Sequence, residues 1–230
     1  FIKALIFKVD EGKADILGAA RMRQDLGNMQ GGSITDIAGT TAVASKVIEE
    51  ATKMAGITPQ RVVMGIAGEL LKGITTTITY TRRSADKKID ERELVAIMRR
   101  VQEKALMQAQ GQVAWETGKE DIDLRLVNAA AVDVRIDRHH VSDPIGFVGK
   151  HVRVGVYTAF APLVYVSALE SVAQRLQLDV GGIAAEPYAI AKSIGSTMGT
   201  DFNAIIMDVG GGTTDVAVVR NGGLEGTKIF

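Results

Sequence analysis

An acid stands at each end of the segment Asp208-Val209-Gly210-Gly211-Gly212-Thr213-Thr214-Asp215. Glycines and threonine hydroxyls fill the space between, a set that suits a triphosphate and its metal. Glycine accepts positive φ and lets the backbone come close to a ligand. Successive N–H groups in such a turn form an anion-binding nest, and the hydroxyls of Thr213 and Thr214 add donors. Asp208 or Asp215 can hold Mg²⁺, usually through water, because Mg²⁺ keeps much of its hydration shell and takes few carboxylates. A bare run of glycines would signify no more than a hairpin. Here apolar residues flank the motif. Ala204 to Met207 reads as a buried strand and Val216 to Val219 as a second, so the turn has the strand–turn–strand context that a phosphate site needs.

A second chemical group lies upstream. Glu186 stands before Pro187 in Ala-Ala-Glu-Pro-Tyr-Ala-Ile-Ala. A carboxylate at a strand end and helix start can orient a water for attack on phosphorus. The same place suits an acid merely favoured by the helix dipole, and the residues alone leave both readings open. The other polar residues offer less. His139 and His140 follow Arg138 in what reads as a solvated turn and lack metal-ligand spacing. His151 is a lone strand histidine with a structural role. Arg82-Arg83 and Lys87-Lys88 make a basic loop, a solvated surface or part of a self-association face. Trp115 sits in a polar loop, a place that suits an anchor for a partner, but the stronger expectation is that it packs beside a helix. There is no Ser/His/Asp arrangement and no G-x-x-x-x-G-K-[ST] phosphate loop.

The elements that must position these groups follow from periodicity. Residues 2–9 and 13–20 read as a β-hairpin around Asp10-Glu11-Gly12. After a glycine-containing loop, Ser33 or Thr35 is expected to cap a helix with Ile37, Ala44, Val47, Ile48, Ala51 and Met54 on its core face, stopped by Gly56. Strands are expected at 61–67 and 74–81. Asp90 and Glu93 form a capping box for a helix carrying Leu94, Ile97, Met98, Val101 and Ala105, followed by a loop at 110–121. Strands at 124–136 and 151–157 flank a turn at Asp143–Gly146, so residues 60–157 read as a β-β-α-β-β module. Pro162 is expected to open a helix in its first turn. A short strand at 183–185, a helix from Pro187 to Gly195, and a hairpin across Asn221-Gly222-Gly223 complete the chain.

The totals bound the class. The 230 residues suffice for one large domain or two small ones. Hydrophobic residues at 46% and charged residues at 23% are ordinary for a globular protein. Lys+Arg and Asp+Glu balance at 27 each, so no basic field argues for nucleic acid. The chain has no cysteine, which excludes disulfides, zinc–thiolate sites and thiol nucleophiles within it. No apolar run approaches the ~18 residues of a membrane span, and the first residues do not read as a signal peptide. The chain starts at Phe1 without an initiator Met, runs straight into the strand at 2–9 and stops at Phe230 just after a hairpin, the expectation being an internal piece of a longer protein.

Asp208–Asp215 resembles the second phosphate loop of the actin-like ATPase superfamily. Glu186-Pro187 with Ala189 and Ala191 resembles the segment that connects the two lobes in MreB-like and heat-shock chaperone ATPases. Val62-Val63-Met64-Gly65-Ile66-Ala67-Gly68, Ser142-Asp143-Pro144-Ile145-Gly146-Phe147-Val148-Gly149 and Gly32-Ser33-Ile34-Thr35-Asp36 are similar to segments of the cell-division protein FtsA. The resemblance covers essentially the whole chain. It implies an α/β protein with the actin-like ATPase (ribonuclease H-like) fold. Residues 1–59 would begin lobe I and 60–157 would be an FtsA-type inserted α+β subdomain. Residues 158–203 would return to lobe I with the connecting helix, and 204–230 would start lobe II.

The resemblance also implies function. Asp208, Gly210, Gly211, Gly212, Thr213 and Thr214 would contact the phosphates of ATP and, through Asp208, water-bound Mg²⁺. Asp215 would at least stabilise the hairpin, and Glu186 would position the hydrolytic water. The expected protein is a polymer-forming adaptor of bacterial cell division in the cytoplasm, at the inner face of the membrane. It would link the FtsZ ring to the membrane through a C-terminal helix absent here, and any ATPase activity would be slow. The first phosphate loop and the adenosine-binding part are also missing, so this piece alone is expected to bind ATP poorly and to be inactive. Glu186-Pro187 is more typical of MreB and of the pilus-assembly protein PilM than of FtsA, which keeps a PilM-like pilus adaptor as the alternative. A sugar-kinase relative is a more distant one.

Overall fold

The computed structural model describes residues 1–198, 202–210 and 213–230, the side chains of 195–198 excepted. The chain divides into two units, Phe1–Gly68 with Val164–Ile183, and Glu69–Leu163 with Ala184–Phe230.

In the first unit, β1 (Ile2–Asp10) and β2 (Lys13–Met22) pair antiparallel with a bulge between Ile6 and Phe7. Their turn takes Glu11 and Gly12 to φ of 46° and 78°, the left-handed pair that matches strand twist in a two-residue hairpin. The loop then folds on itself as β3 (Met29–Gln30) and β4 (Ser33–Ile34). Helix α1 (Ile37–Ala55) is capped by Asp36, whose carboxylate accepts from Ala38 N at 2.9 Å, and not by Ser33 or Thr35. A cap oxygen must lie just before the first helical residue. The two expected hydroxyls instead donate to Gln30 O and Gly27 O, both at 2.8 Å, and tie the loop. Gly56 ends α1 in the left-handed conformation as expected. Thr40, Ala44, Val47 and Ala51 form the buried stripe of α1, with Ala51 close against Gly18 of β2. Strand β5 (Arg61–Ile66) pairs with β10 (Asp179–Ala185), so it lies outside the sheet of the following module. Gly32 and Gly68, from two of the FtsA-like segments, approach so closely that a Cβ on Gly32 would lie 2.8 Å from Gly68 N. Helix α3 (Leu163–Arg175) precedes β10.

The second unit holds a seven-stranded antiparallel sheet. Its strands are β6 (Lys72–Thr81), β7 (Leu124–Ile136), β8 (His139–His140), β9 (His151–Pro162), β11 (Ala204–Val209), β12 (Thr214–Arg220) and β13 (Gly223–Ile229), in the order β11-β12-β13-β6-β9-β7-β8. Helix α2 (Glu91–Thr117) lies on β6, β7 and β9, burying Ile97 and Val101 among Val134, Val152, Val154 and Val156. Asp90 caps it as expected, accepting from Glu93 N at 2.8 Å. The expected loop at 110–121 is instead largely helix, because Ala105, Ala109 and Val113 continue the buried stripe until Gly118 caps the end. Trp115 therefore sits on a helix and is 86% exposed, without the packing role expected of it. Pro162 is the last residue of β9, paired with Leu124, and the helix starts one residue later. Pro187 is the second residue of α4 (Glu186–Met198), which passes the expected stop at Gly195. His139 and His140 pair with Ile136 and Arg135 in β8 and remain exposed.

Two sets of ion pairs brace the ends of α2 in this unit. Arg82, expected at a solvated surface, is buried. Its Nε and Nη2 donate to the two carboxylate oxygens of Glu93, each at 2.8 Å, and its Nη1 to Gly149 O at 3.0 Å. The Glu93 hydrogen bond holds the guanidinium still more firmly protonated. At the other end of α2, Glu116 accepts from Lys72 at 2.7 Å and Lys228 at 3.4 Å, joining α2 to β6 and β13. Burial pushes the Glu116 carboxyl up, but the two lysines outweigh it and hold it below the usual range. Removing one member of a buried pair strands the other charge. Glu93→Ala is therefore expected to destabilise the chain by about 3 kcal/mol in urea unfolding. A loss under about 1 kcal/mol would show that Gly149 O and solvent suffice for Arg82.

Candidate functional site

The acid-bracketed turn forms as a hairpin between β11 and β12. Asp208 lies directly across from Asp215, and Val209 across from Thr214. Directly opposed residues point to one face of a sheet, so the two carboxylates share a side. Gly210 N donates to Thr213 O at 2.9 Å, closing the turn. A Cβ on Gly210 would lie 3.1 Å from that same carbonyl, so the position favours glycine. Thr214 exchanges both backbone hydrogen bonds with Phe230, at 2.9 Å each. Gly211 and Gly212 lie outside the described residues.

Helix α4 packs over this hairpin. It covers the face carrying Asp215, Ala217 and Val219. The opposite face is open, and Ile205, Met207 and Val209 are 71%, 62% and 73% exposed. The run 204–207, expected to be a buried strand, is thus covered on one side only. Asp208 is exposed at the end of β11, while Asp215 is 5% exposed and its Oδ1 has no hydrogen-bond partner. Burial, then the negative charges of Glu186 and Asp208, push the Asp215 carboxyl up to about 6. The charges of Glu186 and Asp208 are thus both felt at Asp215. Among the described residues no group of three or more His, Asp or Glu side chains is placed to hold a metal directly. Of the two acids of the hairpin, Asp208 is the exposed one.

Glu186 is the first residue of α4 and is exposed, whereas Pro187 behind it is fully buried. Ala185 N, one residue earlier, donates to Asn128 Oδ1 of β7 at 3.1 Å. Tyr188 stacks on Tyr157 of β9 with ring centroids 5.6 Å apart and planes at 5°. The Tyr157 hydroxyl lies 3.2 Å from Thr227 Oγ1, and burial is the main reason its pKa is pushed up to about 12. Asn128, Tyr157 and Tyr188 were missed in the sequence. Asn128 had a signal, a lone amide within the apolar run Leu126–Val132. A groove of about 340 Å³ runs beside β6 and β13, lined by Gly73, Thr75, Gln112, Glu225, Thr227 and Lys228 and not by Glu186, Asp208 or Asp215.

Comparison with known proteins gives the class first. The chain superposes on a chain of the PilM–PilN type IV pilus biogenesis complex with a TM-score of 0.65 and 14% identity, over 99% of this chain and 57% of that one. It is an α/β protein of the actin-like fold. The sequence is 24% identical to the cell division protein FtsA of Pseudomonas aeruginosa over 86% of this chain and 44% of that protein. It is 25% identical to FtsA of Neisseria meningitidis serogroup B over 100% of this chain and 51% of the relative. With FtsA of Streptococcus pneumoniae serotype 2 the identity is 21% over 100% and 47%. The chain is thus FtsA-like, and it spans about half the length of the curated relatives it matches. No family model matches it.

The raised Asp215 carboxyl fixes a sign. An acid that binds its proton more tightly when folded costs stability as pH rises from the ordinary carboxylate range through about 6. Asp215→Asn removes the charge that Glu186 and Asp208 oppose, so the variant is expected to melt higher than the parent at pH 7. Each kcal/mol relieved moves the melting temperature by roughly 2–4 °C at this size. The advantage should shrink by pH 4, where the parent carboxyl is protonated. Thermal unfolding at the two pH values checks it, and a variant less stable than the parent at pH 7 would show that Asp215 is charged and well paired.

Proposed function

We propose that the chain is the part of an FtsA-like adaptor of bacterial cell division that holds the phosphates of ATP. The observation that carries this reading is the acid-bracketed hairpin with Asp208 and Asp215 in register and Glu186 close enough to raise Asp215, in an FtsA-like chain. Gly210, Gly211, Gly212, Thr213 and Thr214 cradle the phosphates. Asp208 holds Mg²⁺ through water, and Glu186 orients a water. The bound metal nucleotide supplies charge that binds the lobes together, and hydrolysis is slow and regulatory. Lobe closure biases the contacts by which copies assemble into filaments, a nucleotide-dependent shift between two states. The protein works in the cytoplasm at the division site, joins FtsZ to the membrane and uses a membrane-binding segment outside this chain. Among the described residues no helix is long and apolar enough to cross a membrane.

The structural likeness to the PilM–PilN complex favours a second reading, a pilus-assembly adaptor with its peptide partner on the 60–157 subdomain. The partner discriminates the two. Capture of the natural protein from its own cells, with mass spectrometry of what comes with it, is expected to return FtsZ, whereas pilus-assembly proteins in its place would overturn the division role. In the same protein Asp208→Ala is expected to weaken Mg²⁺-ATP binding at least about tenfold by calorimetry, the loss of one charge-assisted contact. Equal affinity in the variant would remove Asp208 from the site.

A further inference from the structure

Among the described residues three buried side-chain atoms have no hydrogen-bond partner, Gln24 Oε1, Asn128 Nδ2 and Asp215 Oδ1. Two of these residues adjoin the start of α4. Asp215 senses the charge of Glu186, and Asn128 bonds the backbone one residue before it. Asn128 stands in β7 where the register slips past Val127, between Leu126 and Asn128. A β-bulge of this kind re-aims the side chain beside it, and here that side chain meets the β10–α4 junction. The Ala185 N–H is a donor, so the amide must present its oxygen there. Nδ2, on the same amide, is left buried and without an acceptor in the protein. A buried donor without an acceptor is costly, and in native structures such groups are completed by water or a ligand.

We propose that Asn128 is a positioning residue for Glu186. Its Oδ1 fixes the peptide that launches the glutamate, and its Nδ2 donates to the water that Glu186 orients. This rests on the Glu186 role given above. It adds that a strand of the 60–157 subdomain reaches the phosphate chemistry through one side chain.

Two substitutions separate the halves of the amide. Asn128→Asp keeps an oxygen for Ala185 N–H and deletes the donor, whereas Asn128→Ala deletes both. Hydrogen exchange at Ala185 is expected to be unchanged in the first and about tenfold faster in the second. On the natural full-length protein, Asn128→Asp should lower kcat for ATP about tenfold with ATP affinity unchanged. It should add nothing in a Glu186→Gln background, where a mere charge effect of the new carboxylate would persist. Parental turnover in Asn128→Asp, or a loss that adds fully to that of Glu186→Gln, overturns the proposal while the Glu186 role stands. Parental turnover in Glu186→Gln, or no turnover in the parent, overturns both.

Discussion

In β9 every residue from 154 to 162 is buried. A strand covered on both faces cannot alternate apolar and polar side chains, and it needs a layer above and a layer below. Helix α2 supplies one layer through Ile97, Val101 and Ala105. On the other side Tyr157 stacks on Tyr188 of α4. Fully burying each valine of this strand contributes about 1.5 kcal/mol or more. Helix α4 itself packs on β12, β13 and β11, and Tyr188 carries its contact to β9.

The polar contacts then select among the ways of covering β9. Arg82 with Glu93 fixes the start of α2 against the Ser142–Gly149 loop, and Glu116 with two lysines fixes its end against β6 and β13. Both sets join elements far apart in sequence, and both are partly desolvated. Buried pairs of this type specify one arrangement more than they add net stability. The β13–β6 seam shows why such specification is needed. Only Gly226 with Ile74 and Thr227 with Gly73 are in register there. Gly73 has no room for a side chain because Thr227 and the Tyr157 hydroxyl occupy the space.

The carboxylate neighbourhood runs against this economy of charge. Three acids of one sign approach each other, and the most buried of them has an oxygen with no partner. Acids perturbed in this way cluster at functional sites. It accords with an FtsA-like chain of actin-like fold, and it places the cost of the arrangement at the hairpin and the α4 start, not in the core under α2.

The sequence by itself determined the local features. Glycine and asparagine at turns, the Asp90 cap, the Gly56 stop and the acid–glycine–acid motif are set by φ preference and hydrogen-bond reach within a few residues. The Asp208-to-Asp215 spacing similarly sufficed to foresee a hairpin with both acids at its base. Tertiary structure decided the rest. Helix α2 runs to Thr117 because a buried alanine and valine stripe outweighs the polar residues that looked like a loop. Ile205 and Met207 are open because α4 covers one face of β11, and an apolar run does not reveal how many faces will be covered. Arg82 is buried because Glu93 and Gly149 converge on it, and Asn128 reaches Ala185 because a bulge turns it there. Gly149 and Ala185 are distant in sequence from the residues they meet, and only folding sets the distance between them.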